Sequence, residues 1–160
     1  MSVIPFIGDK IGHCAVIPPS DVNISRLNTI LDSAVIATEP DGDSLYICDG
    51  LAMPIWVHLN YGNKLVHFMT YHDTAEVDTT IGAVCANKLS GRLLLVQFHY
   101  VDHRLYGHYW HSYADGLQSR TLIRVARAFA DICHRALNED FTLFPRDAAL
   151  EGGTSQLQLL

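Results

Sequence analysis

Ile55-Trp56-Val57-His58-Leu59-Asn60-Tyr61-Gly62-Asn63-Lys64-Leu65-Val66-His67-Phe68-Met69-Thr70 is the stretch on which the fold turns. Over 55–59 the aliphatic side chains fall on every second position, the period of a strand with one buried face. Gly62-Asn63 suits a tight turn with glycine first, and 65–70 is the returning strand. In that register Tyr61 stands opposite Lys64 and His58 opposite His67. One face of the hairpin then carries Ile55, Val57, Leu59, Tyr61, Val66 and Phe68. The other carries Trp56, His58, Asn60, Leu65, His67 and Met69.

Downstream, 73–89 is expected to be a helix. Asp73, Glu76 and Asp78 come early and Lys88 late, as a helix dipole favours, and Val77, Ile81, Val84 and Cys85 give it an apolar side. Gly82 weakens this helix, and Ser90-Gly91 ends it. A second hairpin is expected over 92–101 and 104–113, turning at Asp102-His103, so that His99 faces Tyr106 and lies diagonal to His108. Leu94, Val96, Phe98, Tyr100, Leu105, Tyr109 and Tyr113 share its aliphatic and aromatic face. Leu93, Leu95, Gln97, His99, Tyr106, His108 and Trp110 lie on the reverse. Ser119 then caps a helix over 120–138, with Leu122, Ala126, Phe129, Cys133 and Leu137 at helical spacing.

Upstream, 1–19 is punctuated by Pro and Gly and reads as an extended N-terminal arm ending at Pro18-Pro19. Ser20-Asp21 are positioned to cap a helix running through Ser33. The β-prone 35–37 and the strand Leu45-Tyr46-Ile47-Cys48 flank the turn Pro40-Asp41-Gly42-Asp43, which suggests a further hairpin there. The tail, 139–160, is polar and contains glycine. We therefore expect one domain over 1–160, with its core at 20–138. Its class is α+β, with one antiparallel sheet of about five strands and three helices in the order α-β-β-β-α-β-β-α.

Composition narrows the function. A chain of 160 residues, 49% hydrophobic and 18% charged, is a globular domain. Its net charge of −6 opposes general nucleic-acid binding and polybasic membrane attachment. It has no long apolar run and no basic, apolar leader, so neither a membrane span nor a signal peptide is expected, and the cytoplasm is the expected location. Cys14, Cys48, Cys85 and Cys133 are scattered among apolar neighbours, which suits reduced, buried thiols.

No phosphate-binding loop, nucleophile elbow, metalloprotease motif or calcium loop is present. Cys133 and His134 are adjacent on a helix and point apart, and Glu39, Asp41, Asp43 and Asp49 read as a solvated turn. No enzyme and no cofactor are expected. Opposed His58 and His67 would bring two imidazoles within about 5 Å, but no third ligand is in sight, so no metal is expected. Arg120, Arg124 and Arg127 form one helical stripe that could contact an anion, although Asp131 is spaced to pair with Arg127 and Arg135. A metal-binding protein using the hairpin histidines, or a small-ligand or immunity-type protein using the arginines, is the alternative to a protein-binding module.

The reverse faces of the hairpins point to the latter. Trp56, His58, Met69, Tyr106 and Trp110 have the composition of protein interfaces rather than of a solvated sheet. Either a partner covers them or the N-terminal arm does. The order of elements, with Ala86-Asn87-Lys88-Leu89-Ser90-Gly91-Arg92 leading from the second helix to an apolar strand, resembles the YbjN family over 20–138. These bacterial proteins are described as sensory transduction regulators, with a fold similar to type III secretion chaperones. The resemblance implies a small, cytoplasmic, non-enzymatic homodimer acting through protein contacts, with no catalytic residues to carry over. The histidine-rich hairpins and proline-rich arm depart from that pattern.

Overall fold

Alternation in the two hairpins builds one sheet. In a computed structural model that describes residues 16–74, 77–93 and 95–139, the elements begin with β1 (Val16–Ile17), α1 (Ile24–Ser33), β2 (Thr38–Asp41) and β3 (Ser44–Ile47). They continue with β4 (Ile55–Asn60), β5 (Leu65–Asp73), α2 (Thr79–Arg92), β6 (Gln97–Val101), β7 (Arg104–Ser112), β8 (Leu117–Gln118) and α3 (Ser119–Glu139). Strands β2 to β7 form an antiparallel sheet ordered β2-β3-β4-β5-β7-β6, and β1 pairs with β8 as a short ribbon. The class and the three helices are as expected. The sheet, however, has six strands, because four and not three precede α2. The additional strand, β2, has no apolar alternation, and its exposed Glu39, Pro40 and Asp41 read as a turn. The expected N-terminal arm is described only from residue 16, and the tail from 140 onward lies outside the described residues.

Local competition shifts several boundaries. Asn23, not Ser20 or Asp21, caps α1, its side chain accepting from the Arg26 N–H at 2.9 Å, while 19–21 form a single 3-10 turn. β5 runs on to Asp73, so α2 begins later than expected, capped by the Asp78 carboxylate, which accepts from the Thr80 and Ile81 N–H groups. α2 ends at Arg92 instead of Ser90, and the expected strand over 92–101 shrinks to β6; Leu94 lies outside the described residues. Ser119 is the first residue of α3 rather than the cap before it.

All three helices pack on one face of the sheet. Leu27 and Leu31 of α1, Cys85 and Leu89 of α2, and Leu122, Ala126, Phe129 and Cys133 of α3 share one core with Ile47, Val57, Val66, Phe68 and Phe98. Phe129 meets Phe68 with ring centroids 6.1 Å apart. Gly107 of β7 faces Cys133 so closely that a Cβ there would lie 3.1 Å from its Sγ. Burial pushes the Cys133 thiol up to about 12. Cys85 is buried too, whereas Cys48 is exposed at the end of β3, its Sγ 3.8 Å from a Glu39 oxygen; this corrects the expectation that every thiol is buried. Cys14 lies outside the described residues. No helix among the described residues is long and apolar enough to cross a membrane.

The end of α1 holds strain. Ile36 N–H donates to Leu31 O at 3.1 Å and Val35 N–H to Asp32 O at 3.0 Å, closing a Schellman-type turn with Val35 at φ +59°. That conformation costs a β-branched residue about 1–2 kcal/mol, and Val35 is 88% exposed, so little packing offsets it. Val35→Asn is expected to raise the unfolding free energy by about 1 kcal/mol, seen in urea as a higher midpoint with an unchanged slope. An unchanged midpoint would place the strain elsewhere.

Candidate functional site

The face opposite the helices is where the two hairpins become one surface. β5 pairs with β4 on one side and β7 on the other. The inferred registers hold: His58 lies opposite His67, and His99 opposite Tyr106. The β5–β7 pairing then sets His67 beside Trp110, Met69 beside His108 and Tyr71 beside Tyr106. Trp56, His58, Met69, Tyr106 and Trp110 thus all project from this one face. No helix of the described residues lies on it.

The rings form a continuous pavement. Tyr46 meets Trp56 at 4.8 Å between centroids, Trp56 stacks on Tyr71 at 5.1 Å, and Tyr71 meets Tyr106 at 5.8 Å. Tyr106 stacks with His99 at 4.9 Å, His99 with His108 at 4.6 Å, and His108 with His67 at 5.0 Å. His67 closes the path, stacked on Trp110 at 3.7 Å and on His58 at 5.6 Å. Most of these side chains are half-buried by one another, while Trp110 remains 45% exposed. Flat rings in cross-strand register shield each other on their faces and leave their outer edges open.

Electrostatically the pavement is close to neutral. Burial, then the neighbouring imidazoles His108 and His58, lowers His67 to about 4. Burial, then His99 and His58, lowers His108 to about 4 as well. His58 is lowered by burial, and Asp41 partly opposes the shift. At neutral pH His58, His67 and His108 therefore behave as uncharged aromatic rings. Asp41 also accepts the Trp56 indole N–H at 3.1 Å. At the rim Arg104 pairs with Asp73 at 2.7 Å and lies 5.0 Å from the centre of the Tyr71 ring. Arg104 is the single basic residue that the six strands place on this face.

Other sequence candidates do not converge here. No group of three or more His, Cys, Asp or Glu among the described residues could hold a metal ion. His67 Nε2 and His108 Nδ1 face each other at 2.8 Å and so hydrogen-bond one another rather than converge on an ion. Arg120, Arg124 and Arg127 are exposed on α3, away from the pavement. Arg127 donates to the Ala34 carbonyl at 3.2 Å, tying α3 to the end of α1, so the stripe is not three loose cations. Arg135 reaches the backbone carbonyl of Asp131 at 3.4 Å.

Sequence reasoning missed Tyr46 and Tyr71 as members of the face. Tyr71 fell in the gap between a strand ended at 70 and a helix begun at 73. The available signal was length: 65–73 and 104–112 each continue their alternation for nine residues, the register in which β5 and β7 pair.

Both edges of the sheet are blunted. At β6 the Ser90 hydroxyl accepts from the Phe98 N–H at 2.7 Å and donates to the Phe98 carbonyl at 3.2 Å. At β2 the edge carries Pro40 between Glu39 and Asp41. An occupied N–H and carbonyl, a proline and paired acids all oppose the addition of another strand.

No family model and no curated protein matches the sequence. The fold matches the crystal structure of YbjN, described as a proposed transcription regulator from E. coli, with a TM-score of 0.64 at 12% identity. The match covers 77% of this chain and 95% of that one. The chain therefore has a YbjN-like α+β fold.

Proposed function

We propose that this chain is a non-enzymatic protein-binding module, regulatory or chaperone-like, that docks through the open face of its sheet and works as a homodimer. One observation carries this reading: an unbroken aromatic pavement from Tyr46 to Trp110, uncovered by any helix among the described residues. Trp, Tyr and Met are the residues of interface centres, and a contiguous apolar patch of this kind marks an interaction surface. The blunted edges leave the face as the route to association. A single arginine there, paired with Asp73, supports a protein partner over a nucleic acid. The likeness to YbjN supports a regulatory role. The cytoplasmic location expected from the sequence belongs to the same reading, with the buried thiol of Cys133 as its support.

Sedimentation velocity of the full chain at pH 7.5 is expected to show a dimer at micromolar concentration. A monomer throughout would remove the homodimer. Stoichiometric zinc is expected to move the melting temperature by no more than about a degree. A site filled at 100 times its dissociation constant would add about 2.7 kcal/mol, several degrees for a domain of this size. Such a rise, lost in His58→Ala, would replace protein binding with metal binding.

A further inference from the structure

We propose that self-association through this face is gated by acid: the imidazole cluster joins two copies while it is neutral and parts them once it takes up protons. The proposal rests on the homodimer reading above and adds its regulation. His67 Nε2 and His108 Nδ1 lie 2.8 Å apart and share a single N–H···N bond. Whichever ring donates, an imidazolium at His108 must carry a proton on Nε2. That atom is buried and has no hydrogen-bond partner among the described residues. A charge there would be desolvated with nothing to accept it.

Nor is there room for a second charge. His99 stacks on His108 at 4.6 Å and His58 on His67 at 5.6 Å, so each added proton repels the next. The other charged groups on this face offer little relief. Asp41 on β2 reaches His58, with one oxygen held by Trp56, and Glu39 lies by Cys48. Asp73 on β5 is paired with Arg104 on β7, and Gln97 on β6, which faces His108, is uncharged. Apposing two such faces doubles the positive charge that an incoming proton meets, so protons enter the separated protomers.

The sign follows from burial. His67 and His108 titrate near 4 on the open face, below their ordinary 6.5, and face-to-face burial depresses them further. Protons are therefore taken up on separation, and the dissociation constant rises as pH falls towards 4. With two such groups on each protomer, linkage makes the dimer about tenfold weaker at pH 4 than at pH 6.

Sedimentation equilibrium of the full chain from pH 8 to pH 4, with near-ultraviolet circular dichroism at each point, tests this. We expect a flat dissociation constant from pH 8 to 6, a rise of at least about tenfold by pH 4, and a retained near-ultraviolet signal. The His67→Phe/His108→Phe double variant keeps two rings and removes their titration, so the acid-induced rise should shrink to the small part left by His58. Should that variant fail to fold, His108→Gln must at least halve the acid-induced rise. A dimer indifferent to pH, an equal rise in the variants, or dissociation only with loss of the near-ultraviolet signal overturns the gate and leaves the homodimer standing. A monomer at pH 8 overturns both.

Discussion

Trp110→Ala should turn the proposed homodimer into a monomer at micromolar concentration while leaving the far-ultraviolet circular dichroism native. Trp110 stacks on His67 at 3.7 Å yet is 45% exposed, so it contributes more to the surface than to the core. A central Trp anchor commonly contributes over about 2 kcal/mol, roughly 30-fold in affinity, and two-fold symmetry presents it twice. The substitution also removes the ring covering His67, so the pKa of that histidine should rise towards its ordinary value, which a titration by NMR would read. The opposite outcome is equally clear. If Trp110→Ala unfolds the protein and leaves no change in oligomeric state to measure, this ring belongs to an intramolecular core and the interface assignment fails.

Gly82→Ala should destabilise the fold by about 3 kcal/mol, although a helix interior ordinarily gains nearly 1 kcal/mol from that change. A Cβ at Gly82 would lie 2.1 Å from Cδ1 of Tyr100 and 2.3 Å from its Cε1. Tyr100 cannot readily withdraw: it is only 8% exposed, and its hydroxyl donates to the Val77 carbonyl at 3.3 Å and accepts from Thr74 Oγ1 at the same distance. α2 and β6 must therefore separate or the ring must leave the core. Thermal unfolding should show a drop of many degrees. An unchanged or higher melting temperature would mean that α2 has space to shift.

These two residues show what could be read from the sequence. Alternation placed Trp110 on the correct face because a strand's two-residue period allows only two choices. The same local logic gave His58 opposite His67 and His99 opposite Tyr106, each hairpin fixing its own register. It could not join the hairpins, because the β5–β7 pairing spans the whole of α2 and its local trace is only the matching nine-residue length of the two strands. The continuity of the pavement, the stacking of His67 on Trp110 and the membership of Tyr71 all follow from that one non-local pairing. Gly82 was misjudged for the same reason. Propensity counted it as a weakness in a helix, whereas the ring of Tyr100, eighteen positions away, requires a residue without a side chain. Likewise the first arm of the upstream hairpin was sought at 35–37 instead of Thr38–Asp41, because an edge strand of Glu, Pro and Asp is built to resist pairing on its outer side, which suppresses the alternation that reveals strands.

In the proposed homodimer, the Ser90 hydroxyl on Phe98 limits how many copies one molecule can bind. A sheet with one sticky face and a free edge could bind one copy by its face and another by its edge, and such two-valent units polymerise. With Phe98 of β6 occupied by Ser90 and β2 interrupted by Pro40, the face is the open surface of the six-stranded sheet among the described residues, and one face can satisfy only one other. Assembly is then expected to stop at two, and raising the concentration should fill dimers without ever seeding filaments or larger rings. Ser90→Ala would reopen that second valence: a light-scattering signal that climbs with concentration in the variant, and stays level in the parent, is the expected mark of its loss.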